Sequence, residues 1–120
     1  MTVKPDMPVT PLHQVLAALQ EPVRLEMVRR LHNAGAPVQC ASLYDGINKS
    51  TATHHFKILR EAGVIERSVA DGLTYQRLRA EELEAALPGL LSSIVASANR
   101  EVDHLVSEGG LEPPRPLIGH

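Results

Sequence analysis

The side chains best equipped for chemistry crowd into one run, NKSTATHHFKILREAGVIE, residues 48–66. Ser50 and Thr53 carry hydroxyls that can bond base edges or phosphate oxygens, and His54 can donate or accept. Lys49 and Lys57 flank them with positive charge. Such a set suits recognition of a polyanion by hydrogen bonds and charge. Further on, Arg67, Arg77 and Arg79 could reach the same surface, touching phosphate or a minor groove.

Other candidates are weaker. His54 and His55 are neighbours, and adjacent helical residues point about 100° apart, so the pair does not chelate readily. Cys40 is the only cysteine, and it reads as a small buried residue or as a redox-active thiol. Asp103 and His104, with Glu101 nearby, read as a solvated helix end or as part of an improvised metal site. The six histidines are scattered along the chain. No Gly-rich phosphate loop appears, and no Ser, Cys or paired-carboxylate arrangement has a recognisable partner, so no enzyme and no cofactor are expected.

Helical spacing and caps define the elements that must carry these groups. Leu12, Val15, Leu16 and Leu19 recur at helical spacing, and Pro22 opens a second helix to about Asn33 that buries Val23, Met27, Val28 and Leu31. A short helix is predicted over Cys40–Asp45, ending at Gly46. Asn48 is a good N-cap and Gly63 a good C-cap for a longer helix. Within it Ala52, Phe56, Leu59 and Ala62 make an apolar stripe, with Lys49, Ser50, Thr53, His54, Lys57 and Arg60 on the other side. After Gly63 the pattern turns β-like on both sides of Asp71-Gly72, a strong hairpin signal. A last helical region is predicted from about Glu81 to Ser107, restarted at Pro88. Its stripe, which includes Leu91, Ile94, Val95 and Ala98, is too long for so small a core and suggests a subunit interface.

The expected fold class is therefore mainly α with a small β-hairpin wing (α+β), a winged helix-turn-helix. A short helix, a turn and a longer helix let the second helix enter the major groove while the first braces it. The chain has 120 residues, 43% of them hydrophobic, enough for one domain. Residues 10–107 are expected to form it, with flexible tails at 1–9 and 108–120. No apolar run approaches the roughly 18 residues of a membrane helix, the start lacks the apolar core of a secretory signal, and one cysteine suits a reducing cytoplasm. The net charge of −2 hides an asymmetry: residues 49–79 carry six basic and three acidic groups, whereas residues 80–120 carry two and seven. Only the middle segment is a plausible nucleic-acid face.

The runs LQEPVRLEMVRRL and KSTATHHFKILREAGVIERSVADGLTYQRL resemble the ArsR family of bacterial winged-helix repressors, over about residues 12–95. The resemblance implies a homodimer that binds double-stranded operator DNA and is released by a signal, the inducer being unknown. It places Lys49, Ser50, Thr53 and His54 on bases and phosphates. It also implies joining through the first and last helices, at Leu12, Val15, Leu16, Leu19, Leu91, Ile94, Val95 and Ala98. Many relatives bind metal through a Cys-x-Cys pair; here VQCASL leaves only Cys40, and a lone thiolate does not make such a site. A metal- or thiol-responsive repressor, or a protein–protein module that has lost DNA, are the alternatives.

Overall fold

A computed structural model describes residues 8–109, with side chains as far as Leu105. Helix α1 spans Leu12–Leu19 and α2 spans Pro22–Ala34. Strand β1 is only Val38–Gln39, and a single 3-10 turn follows at Cys40–Leu43. Then come α3 at Lys49–Glu61, β2 at Ile65–Ala70, β3 at Leu73–Leu78, α4 at Ala80–Ala86 and α5 at Leu90–Gly109. No helix is long and apolar enough to cross a membrane among the described residues.

Local chemistry explains the boundaries. Pro22 occupies the first turn of α2, where its missing N–H costs nothing, and the Glu21 carboxylate accepts from the N–H groups of Val23 and Arg24. The Asn48 side chain caps α3 by accepting from the Thr51 N–H at 2.8 Å. Asp71 and Gly72 both take positive φ, 53° and 77°, as a two-residue hairpin turn requires. That turn fixes the register, placing Ala70 opposite Leu73, Arg67 opposite Gln76 and Glu66 opposite Arg77. β1 adds to the far side of β3, so the sheet order is β1-β3-β2.

The core lies where α2, α3 and the base of the hairpin meet. Met27, Val28, Leu43, Ala52, Leu59 and Val64 are wholly buried there. Each larger aliphatic removed from water contributes about 1.5–3 kcal/mol. α5 packs on α2, and Asn33 and Asn99 exchange amide hydrogen bonds at 3.0 and 3.1 Å.

One expected element is corrected. The predicted short helix over Cys40–Asp45 is one 3-10 turn, because Tyr44 is already extended (φ −150°) and Gly46 reverses the chain at φ 74°. The last helical region breaks as expected near Pro88, into α4 and α5, where Gly89 adopts φ 78°. Strand β1 adds to the expected elements, formed by pairing with β3. Of the expected first tail, Pro8 and Val9 are described and lie against Gly63, while residues 1–7 lie outside the described part. Helix α5 runs into the expected second tail as far as Gly109, and residues 110–120 lie outside.

Candidate nucleic-acid interface

The candidate surface is built on α3. Its apolar stripe faces the core, with Ala52 and Leu59 at 0% exposure and Phe56 at 5%. Its opposite side is open: Lys49, Ser50, Thr53, His54 and Lys57 are all exposed. A 13-residue helix with one side anchored this firmly is a rigid platform for the other.

Arg30 holds the approach to α3 in place. It bonds the Ser42 carbonyl at 2.8 Å, the Asp45 carboxylate at 2.9 Å and Glu26 at 3.1 Å, tying the 3-10 turn and its exit to α2. Arg24 does the same for α3 itself. Its Nε donates to the Ala18 carbonyl at 2.7 Å and its Nη1 to Nδ1 of His55 at 3.0 Å. Arginine can only donate, so the His55 ring accepts there and its neutral form carries the proton on Nε2. Burial lowers the His55 pKa; Glu21 opposes this, and Arg24 and His54 reinforce it.

The hairpin supplies less positive charge than the sequence suggests. Arg67 is exposed and lies near Lys49, both lining one cleft. Arg77 is half-buried and binds Glu66 at 2.6 Å and Glu82 at 3.3 Å, so two carboxylates offset its charge. The hydrogen bond to Glu66 is the main reason its pKa is raised. Arg79 is 4% exposed, with Nε 3.7 Å from Glu82, and sits inside its own subunit rather than on the outer face. Burial disfavours the charge on Glu82, but its backbone hydrogen bond, Arg77 and Arg79 outweigh that and lower its pKa. Both Arg77 and Arg79 are thus structural pairs at the base of the wing.

The expected interface residues divide. Val15, Leu19, Leu91, Val95 and Ala98 are buried within one chain, at 9% exposure or less, so they are core here and not free for a partner. Val15 and Leu19 meet Leu90 and Leu91 around a cavity of about 10 Å³, room for a single water at most. Leu12 and Leu16 remain open at 47% and 42%, Ile94 is half-buried, and Leu105 is 50% exposed. Asp103 and His104 are exposed, and Cys40 is half-buried with its Sγ accepting from Gln76 Nε2 at 3.3 Å. Among the described residues no three His, Cys, Asp or Glu side chains are grouped to hold a metal ion.

Residues 19–68 match the model of a helix-turn-helix domain, a span that begins at the end of α1 and runs through α3 into the wing. An uncharacterised HTH-type transcriptional regulator of Bacillus subtilis (strain 168), YceK, is 34% identical over 83 residues, covering 68% of this chain and 83% of the relative. Among solved structures, the transcriptional repressor BigR from Xylella fastidiosa superposes with a TM-score of 0.51 at 25% identity, over 63% of this chain and 85% of that one. A possible transcriptional regulator for arsenical resistance shares the fold alone, with a TM-score of 0.52 at 21% identity over 82% and 98% of the two chains. An anchored helix with an open polar side, a hairpin beside it and these likenesses agree: the chain belongs to the ArsR-type winged helix-turn-helix transcriptional regulators, which bind DNA to control transcription.

Proposed function

We propose that the protein is a homodimeric cytoplasmic repressor, a binding protein and not an enzyme, in which two copies of α3 read the half-sites of an inverted repeat. Residues 10–107 form the working unit. Lys49, Ser50, Thr53 and His54 read bases and phosphates in the major groove, and Lys57 and Arg67 hold the flanking backbone. The observation that carries this reading is the split of α3 into a buried apolar side and an exposed polar, cationic one. Two half-sites lie about 34–36 Å apart, one helical turn, so a partner must fix the spacing of the two helices. Leu12 and Leu16 on α1, with Ile94 and Leu105 on α5, are the apolar residues left open to form that contact. Release from the operator by a small-molecule signal completes the proposal.

A gel-shift comparison tests it. At moderate salt, duplex from the region upstream of the protein's own gene should bind at least a hundredfold tighter than random duplex of equal length, as specific complexes typically do. Equal affinity for the two would refute sequence-specific control.

A further inference from the structure

An open cleft of about 420 Å³ lies between α3, the 3-10 turn and the wing, a volume in the range of small-ligand sites. Lys49, Arg60 and Arg67 converge on it, and none has a carboxylate partner among the described residues. Positive charge alone would serve a DNA phosphate equally well. The wall behind it would not. Tyr44 and Phe56 meet edge to face there, ring centroids 6.2 Å apart and planes at 68°. A duplex presents its charged backbone to a helix and wing and gains little from an aromatic wall.

One more group on the lining points to a ligand. Gln76 is 1% exposed, its Nε2 donates to Cys40 Sγ, and its Oε1 has no hydrogen-bond partner among the described residues. A buried acceptor left unpaired favours any occupant that brings it a donor. We propose that this cleft binds a small planar aromatic molecule bearing an anionic group and a hydrogen-bond donor, and that such binding excludes DNA. The anion meets the three cations, the ring lies on Tyr44, which Phe56 backs edge to face, and the donor satisfies Gln76. The exclusion follows because Lys49 and Arg67 would serve both ligands, and in this it rests on α3 and the wing being the DNA face.

The full chain suits a direct test. It contains no tryptophan, so the fluorescence of a naphthoate can be followed without that background, and its only cysteine lies on the cleft wall. The probes are 6-hydroxy-2-naphthoate, 2-naphthoate and inorganic phosphate at matched ionic strength. The hydroxylated probe should bind the DNA-free protein saturably, and more tightly than 2-naphthoate by several-fold. At ten times its Kd it should slow Cys40 alkylation by iodoacetamide, and raise the apparent Kd for a random-sequence duplex at low salt, each by about elevenfold. Phosphate should do neither. The proposal is overturned by absent saturable binding, by unchanged Cys40 alkylation, by unchanged duplex affinity, or by phosphate matching the aromatic probe. A protein that binds no duplex even without probe would sink the DNA reading instead, and the binding and alkylation measurements would still decide whether the cleft is a site.

Discussion

Replacing Gly63 by alanine should be far more damaging than replacing Gly35, although both glycines close helices with a left-handed backbone. Gly35 has φ +65° and nothing within 4 Å of an added Cβ, so its alanine variant bears only the conformational cost, about 1–2 kcal/mol. Gly63 has φ +80°, and a Cβ there would stand 2.5 Å from the Pro8 carbonyl oxygen and 2.6 Å from the Val9 Cα. Both obstacles are backbone, with no rotamer to swing aside, so the segment from Pro8 to Thr10 must lift. That loses two hydrogen bonds from Thr10 to the Ala62 carbonyl, at 3.2 and 3.0 Å, worth about 1 kcal/mol each, and the packing of half-buried Val9, about 1 kcal/mol more. The expected cost is about 4–5 kcal/mol, a large share of the roughly 5–15 kcal/mol that holds such a domain together. Urea denaturation read by circular dichroism measures both variants. Truncation through Thr10 should reduce the Gly63→Ala penalty to that of Gly35→Ala, because the obstacle is gone. Equal penalties in the full-length chain, or a Gly63→Ala penalty untouched by truncation, would refute the steric reasoning.

Acid should loosen the seat of α3. The His55 pKa in the folded state lies below its ordinary 6.5, so the stability it contributes is present above about pH 6.5 and is lost as the pH falls below it. The melting temperature should drop between pH 7 and pH 5, and His55→Gln should flatten that dependence; a parallel drop in the variant would contradict it. On DNA, Thr53→Ala and His54→Ala should cost about 1–3 kcal/mol on specific duplex and little on random duplex. Arg67→Ala should weaken both alike and reduce the salt slope by about one, whereas Arg77→Ala should lower stability more than affinity; gel shifts across a salt series separate these outcomes. Leu16→Asp should convert dimer to monomer in sedimentation without lowering the melting temperature of the monomeric fold, whereas Val95→Asp, which places a charge in the core, should unfold it.

The sequence disclosed most where chemistry is local. The Asn48 cap, Pro22 at the start of α2 and the Asp71-Gly72 turn each act within four residues, and each stands where the residues predicted. What escaped depends on distant partners. β1 is two residues long and exists only because β3 offers an edge, so no periodicity marks it. The apolar stripe of α5 shows which side avoids water, but Leu91 and Val95 are covered by the chain's own helices rather than by a copy, and periodicity does not distinguish the two. The pairing of Arg77 was legible after all: a two-residue turn at Asp71-Gly72 sets the register that places Glu66 directly opposite, and opposite charges in that position attract. That register makes Arg77 a paired cation, unlike Arg67 on the same hairpin. The pairing of Arg79 with Glu82 is local too, an i,i+3 contact in the first turn of α4, whereas the burial of Arg79 depends on packing that no spacing marks.

The most direct test of the account is where a duplex touches the protein. Titrating labelled full-length protein with duplex from upstream of its gene and following backbone amide shifts should move Lys49 to Lys57 and the exposed residues around Arg67 first and furthest, with the outer side of α5 little changed. Shifts concentrated on α5, or spread evenly with none favoured on α3, would contradict it.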